Sequence, residues 1–282
     1  MSLCWVRKNK EDKSTKHLKM IISSLQNPSV KKILKLSKSR ERKLQNLFVI
    51  EGARELSLAI AGDYFIEEVY VCRELFTESR YPEAIADIPV ERIFDITPLV
   101  FAKLSYRTSS DGIIALAHPK SHNLADIQLS DNPFVIVLES VEKPGNLGAI
   151  LRTADAAAVD AVIVCDPQTD VYNPNVIRSG VGALFIVQTA VCTSEEAMIW
   201  LQDNSITSFA AELQAAEMYQ NVDFTQPSAI IMGAEAEGLT LEWLSFAMHR
   251  IKIPMRGKID SLNVSVSTAV LTFEAMRQRM KS

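Results

Sequence analysis

The chain has 282 residues, 48% of them hydrophobic and 23% charged, with a net charge of −4. These are the proportions of a globular chain long enough for one large or two ordinary domains. No apolar run approaches the roughly 18 residues a membrane span needs, and the basic start lacks an apolar core with a cleavage site, so neither a membrane span nor a signal peptide is expected. Cys4, Cys72, Cys165 and Cys192 are scattered without a Cys-x-x-Cys pair. They indicate no disulfide framework and no zinc site, and a reducing cytoplasm is the expected compartment.

Residues 1–20 read as a basic, flexible extension. Charge is concentrated at this end: residues 1–50 hold thirteen Lys and Arg against three acids, a net of +10 that leaves −14 for the remainder. Such asymmetry points to a polyanion contact. Lys31, Lys32, Lys35, Lys38, Arg40 and Arg42 form the densest part, on one or two short helices spanning 29–46. Ile33, Leu34, Leu36 and Leu44 tie that stretch to a folded body.

Residues 21–117 read as a small α/β domain. Leu47–Gly52 is a strand ending in a turn, and Arg54–Ile60 a helix. Ile66–Val71 and Asp87–Phe94 are further strands. Thr97 caps a helix that starts with Pro98, and Gly112–Ala117 closes the domain as a strand. Residues 118–133 are polar and proline-interrupted, and read as a linker. His118 and His122 are four apart, but Pro119 between them and the missing third ligand argue against a metal site; none is expected.

Residues 134–282 read as a second α/β domain. Phe134–Glu139 has the continuous apolar character of a buried parallel strand. A helix over about Leu147–Ala158 follows, then a strand at Ala161–Cys165. A helix near Val176–Leu184, a strand at Phe185–Gln188, a helix capped by Thr193 or Ser194, and a strand at Ile206–Ala211 come next. The final helix runs from Leu262 to about Arg279, with Val266, Ala269, Val270, Phe273, Met276 and Met280 at helical spacing. This alternation predicts a mostly parallel sheet with helices on both faces.

Three segments in this half share one character, an apolar run or turn that opens into polar, Gly-containing sequence. They are Asn146-Leu147-Gly148-Ala149-Ile150-Leu151-Arg152-Thr153-Ala154, Gly233-Ala234-Glu235-Ala236-Glu237-Gly238-Leu239, and Ile253-Pro254-Met255 with Ser261-Leu262-Asn263-Val264-Ser265-Val266. Two such turns after apolar strands suggest one ligand crevice built from adjacent loops. No Gly-x-Gly-x-x-Gly follows the Phe134 strand, which argues against a dinucleotide-binding dehydrogenase. As isolated residues, Asn146, Glu235 and Asn263 also suit helix caps, a role compatible with one in a site.

Together the three segments resemble the signature motifs of the SpoU family of RNA ribose 2′-O-methyltransferases, within the SPOUT superfamily. More weakly, Leu47 to Ala59, with Arg54, resembles the substrate-binding domain often attached to that family, related to kink-turn-binding ribosomal proteins. The resemblance implies a C-terminal domain with a deep trefoil knot and S-adenosylmethionine as methyl donor. It implies RNA as partner, ribosomal more than transfer RNA, and a homodimer formed through the C-terminal domain with the site completed across its interface. Gly233, Glu235, Ile253, Met255, Leu262 and Asn263 would hold the cofactor. Arg152, Asn146, Glu235 and Asn263 would form the catalytic set, and Arg54 and Arg178 would add to the RNA contacts. Proton removal is linked in the family to the Arg152 position. A guanidinium stays protonated, so gripping the adjacent phosphate is the alternative. Ala157-Ala158, Gly180, Ala234 and Asp260 depart from the usual pattern and bear on the RNA surface and ribose pocket. A non-catalytic RNA-binding or assembly factor with the same fold is the competing reading. Retention of Asn146, Arg152, Glu235 and Asn263 argues against it.

Overall fold

The computed structural model describes residues 21–76, 85–106, 111–258 and 260–280. The basic extension read over residues 1–20 lies outside them. In the N-terminal half, Asn27 and Pro28 start the first helix. The Asn27 carboxamide accepts from the Ser29 amide at 2.8 Å, and Pro28 takes a position where no amide is needed. The elements are α1 (Pro28–Lys35), α2 (Ser39–Gln45), β1 (Phe48–Glu51), α3 (Ala53–Ala61), β2 (Ile66–Val71), β3 (Ile93–Asp95), α4 (Pro98–Leu104) and β4 (Ile113–Ala117). They build a four-stranded mixed sheet in the order β1-β4-β2-β3. Val30 and Ile33 of α1, Leu36 at its C-cap, and Val100, Phe101 and Leu104 of α4 share a buried cluster with Tyr70, Ile114 and Leu116 of the sheet. Alternate sheet residues, Ile50, Val69 and Ala115, turn to the opposite core with Leu56 and Ala59 of α3.

The second half contains β5 (Phe134–Glu139), α5 (Pro144–Ala156), β6 (Ala161–Cys165), α6 (Pro174–Ser179), β7 (Thr189–Cys192), α7 (Ser194–Asp203), β8 (Thr207–Ala211), β9 (Glu217–Met218), β10 (Ser228–Met232), α8 (Leu241–Phe246), β11 (His249–Lys252) and α9 (Val264–Arg279). The seven strands lie in the order β7-β6-β5-β10-β8-β11-β9, and all pairings are parallel. Every residue of β5 is buried. Phe134, Ile136 and Leu138 pack with Leu147, Ile150 and Leu151 of α5 and Leu271 of α9. Val135 and Val137 face Ala197 and Leu201 of α7 and Trp243 of α8. Helices therefore cover both faces, as the continuous apolar strands require. The chain leaves β5 toward β6 on one side and leaves the neighbouring β10 toward β11 on the other. A crevice forms where connections diverge in this way.

Three readings shift. The strand expected at Phe185–Gln188 begins instead at Thr189, and Ala183–Phe185 is a 3-10 turn entered through Gly182 at φ +85°. Phe185 is drawn into the seam between the two halves. There Phe48 stacks on Tyr172 with centroids 4.4 Å apart, and Tyr64 meets Phe185 edge-on at 5.1 Å. The strand expected from Asp87 shortens to Ile93–Asp95, because Pro89 precedes a 3-10 turn over Val90–Arg92. Residues 118–133 are not a free tether. The Lys120 amide donates to the Tyr172 hydroxyl at 2.8 Å, and the Val191 amide to the His122 carbonyl at 2.8 Å.

Candidate active site

β10 delivers the central loop. Gly233 follows its last residue, and a Cβ there would overlap the backbone of Gly238 and Leu239, so only glycine permits this approach. The loop closes on itself: the Ala234 amide donates to the Gly238 carbonyl at 3.1 Å and the Gly238 amide returns to Ala234 at 3.0 Å. Gly238 supplies the turn at φ +72°. The far end of the loop is pinned by Glu139, the last residue of β5, which is 4% exposed. Its carboxylate accepts from the Thr240 amide at 2.9 Å and the Thr240 hydroxyl at 2.8 Å.

Held in this way, the loop aims Glu235 at the start of α5. One carboxylate oxygen accepts from the Asn146 amide nitrogen and the other from the Lys143 ammonium. Asn146 is buried, and its carbonyl oxygen accepts from Asn263 Nδ2 at 3.2 Å. The Asn263 side-chain oxygen caps α9, accepting from the Ser265 amide at 3.0 Å and the Ser265 hydroxyl at 2.6 Å. Asn263 thus both caps and joins the cluster. Asn146 does not cap α5, since Lys143 occupies that position, and Glu235 does not cap α8, which starts after Thr240. The amide of Asn146 is therefore oriented from both ends, nitrogen to Glu235 and oxygen to Asn263.

This cluster borders a cavity of about 650 Å³ lined by residues 211–214, 232–239 and 260–264, including Gly233, Glu235, Leu262 and Asn263. A smaller adjoining cavity of about 90 Å³ is lined by Ile253, Met255 and, shared with the larger one, Met232 and Leu262. All six residues read as cofactor-holding thus lie around two contiguous spaces.

Within the single chain, Arg152 does not join this cluster. Six positions on a helix turn the direction by roughly 240°, so Asn146 and Arg152 leave α5 on different faces. Arg152 stands one turn beyond Gly148, the residue that faces α6: a Cβ at Gly148 would overlap Ser179 and the Val176 carbonyl, and reach the Gly180 nitrogen at 2.7 Å. Arg152 is exposed and makes no hydrogen bond or ion pair among the described residues. Arg178, on α6, is also exposed and donates to Asn175 Oδ1 at 2.7 Å.

The basic N-terminal cluster divides. Lys31, Lys35, Lys38, Arg40 and Arg54 are exposed. Arg42 is a correction to the expected RNA contacts: it is 4% exposed, and its guanidinium donates to Asp170 at 2.7 Å and to the Leu36 and Ser37 carbonyls at 2.8 and 3.0 Å. It ties α2 to the loop before α6 and presents no free face to RNA. Lys32 is half-buried on Glu67 at 2.9 Å and Glu68 at 3.5 Å. Burial pulls its ammonium down, and the two carboxylates outweigh that, leaving it above its ordinary value. Burial also acts on Glu67, but Lys32 and His118 prevail and hold its carboxyl below the usual range. His118 Nε2 donates to the Glu67 carboxylate at 2.7 Å, and His122 is taken up by Thr189 and Tyr172, both at 2.8 Å.

Sequence reasoning missed Lys143, Glu139 and Thr240, and the lining residues 211–214. A carboxylate ending an otherwise apolar strand was a visible signal for Glu139. Nothing local marks Lys143, whose partner lies 92 residues away.

Residues 133–273 match the model of the SpoU rRNA methylase family. The chain belongs to that family. In this SpoU-family chain, residues 27–115 additionally match an MRM3-like substrate-binding domain. A crystal structure of an RNA 2′-O ribose methyltransferase is 36% identical, with 93% of this chain and 100% of that one covered and a TM-score of 0.83. The AdoMet-bound rRNA methyltransferase from Sinorhizobium meliloti is 26% identical, covering 92% and 97%, with a TM-score of 0.82. The 23S rRNA (guanosine(2553)-2′-O)-methyltransferase RlmP of Bacillus subtilis is 27% identical over 252 residues, 89% of this chain and 97% of that one.

Proposed function

We propose that this SpoU-family chain methylates the 2′-hydroxyl of a ribose in RNA, using S-adenosylmethionine, and that its substrate is ribosomal RNA. The observation that carries the reading is the Asn146–Glu235–Asn263 cluster at the edge of the cavity formed by the two Gly-containing motif loops. The likeness to the ribose methyltransferases extends over both halves of the chain, and the RlmP and Sinorhizobium relatives, both named for rRNA, support that target.

The residues present fit the cofactor. A space of about 650 Å³ falls within the roughly 300–1,000 Å³ typical of small-molecule sites. Gly233 lets the loop close against Gly238 and Leu239 at the cavity wall, and Glu212, Glu237 and Asp260 line the space with carboxylates suited to a cationic molecule. Gly233, Leu262, Ile253 and Met255 would hold it. When bound, S-adenosylmethionine supplies a methyl group activated by its sulfonium. The chain's task is to place the ribose oxygen in line with that carbon and assist loss of its proton. Asn146, fixed by Glu235 and Asn263, presents a rigid polar edge for that placement. Arg152, on the other face of α5, serves an RNA phosphate or a site completed by a second copy.

The reading includes the family's trefoil knot at the motif loops, supported by the fold likeness to these relatives. It includes an RNA-binding role for residues 21–117, related to kink-turn-binding proteins, with Lys31, Lys35, Lys38, Arg40, Arg54 and Arg178 as contacts. It includes a homodimer through α9, where Val266 is 48%, Phe273 51% and Met280 81% exposed in the single chain, and a cytoplasmic location. No helix among the described residues is long and apolar enough to cross a membrane. The test is transfer of labelled methyl from S-adenosylmethionine to RNA from a strain lacking the gene, followed by nucleoside mass spectrometry. Label in a 2′-O-methylated nucleoside of ribosomal RNA is expected. Label on a base, label in transfer RNA alone, or tight RNA binding without transfer would overturn the corresponding part.

A further inference from the structure

Lys143 stands at the N-cap of α5, where it makes no capping hydrogen bond and is followed by Pro144. A cation is poorly placed there, because the unpaired amides of a helix N-terminus already carry partial positive charge. Helix stability therefore gives no reason for a lysine at this position. Its ammonium instead reaches across the crevice to one oxygen of Glu235, while Asn146 occupies the other. The lysine side chain is 66% exposed and the glutamate 18%. With one oxygen taken by the lysine and the other by the Asn146 amide, the lysine charge helps fix the orientation in which Glu235 meets Asn146.

We propose that Lys143 is a positioning residue for methyl transfer: its positive charge holds Glu235 turned toward Asn146, and thereby holds the edge against which the ribose is placed. The inference rests on the ribose-methyltransferase reading. Further carboxylates surround the pair: Glu142 next to the lysine in sequence, Glu237 on the same loop, and Glu212 and Asp260 across the cavity. Glu212 pairs with Arg250 at 3.8 Å. Lys143 is the cation paired with Glu235 among the described residues.

The experiment compares wild type, Lys143→Met and Lys143→Arg. It follows kcat and KM for RNA, with S-adenosylhomocysteine affinity and the urea midpoint as controls. In Lys143→Met, kcat is expected to fall about tenfold while KM changes little and both controls hold. Lys143→Arg keeps the charge and is expected to recover the rate. A rise in KM for RNA with kcat unchanged would overturn the proposal and make Lys143 an RNA phosphate contact. Wild-type kinetics in Lys143→Met would reduce the pair to a surface contact. Absence of ribose methylation in wild type would bring down the underlying reading and the proposal with it, a result distinct from an active wild type and an unaffected variant.

Discussion

The seam between the two halves and the outer face of α5 each carry an arginine, and the two are handled oppositely. At the seam, Arg42 is buried, held by Asp170 and two carbonyls, and Asp170 is itself bound by the Tyr172 amide at 2.9 Å. On α5, Arg152 is exposed and makes no hydrogen bond or ion pair among the described residues. A satisfied guanidinium in a dry seam serves stability. One left open on an outer helix face has no structural task to lose, and is available to a ligand.

Breaking each side should move a different quantity. The largest effect is expected for Arg152→Ala, which on the proposed function lowers kcat/KM for RNA methylation by about 10²–10⁴-fold with the urea midpoint unchanged. A matching loss of stability would erase the contrast. Next, Arg42→Ala removes the ties to Asp170 and to the Leu36 and Ser37 carbonyls and should cost about 1–3 kcal/mol in denaturant unfolding. Its effect on methylation should follow the folded fraction alone. Gly148→Ala tests the crossing that turns Arg152 away from the cluster. A methyl group there meets Ser179 and the α6 backbone, and overpacking of this kind costs about 1–3 kcal/mol in thermal or urea unfolding.

The smallest effect sharpens the seam itself. Burial holds His122 below its ordinary value, outweighing the Thr189 carbonyl that pulls it up. The unfolded chain therefore takes up this proton first. The stability it contributes is complete above the ordinary histidine range, near pH 6.5, and is lost as pH falls through the lower folded value. Urea midpoints should decline from pH 7.5 to 5, and less steeply in His122→Gln.

Much of this was legible along the chain. The apolar runs of β5, β6 and β10 identified buried parallel strands, and Gly233 marked a turn where backbones touch. Asn146, Glu235 and Asn263 were read as one site, and they meet. The cap was read as Thr193 or Ser194, and Thr193 forms a full capping box with Glu196. What failed has specific causes. The strand expected at Phe185 was displaced because the aromatic seam claims that residue. The lysine and arginine run of α1 and α2 gave no sign that Arg42 would be enclosed, because its acceptor, Asp170, is 128 residues away.

By itself, the sequence determined the alternation of strands and helices, the glycines where loops must close, and the polar residue types offered at strand ends. Those follow from local propensity and periodicity, which depend on neighbours along the chain. The tertiary structure alone decided which ends meet. Placing β10 beside β5 brings Glu235 to Asn146 across 89 residues and gives Lys143 its partner, while the turn of α5 sends Arg152 away. Sheet order and helix facing are set by the packing of the whole core, so no segment carries them alone.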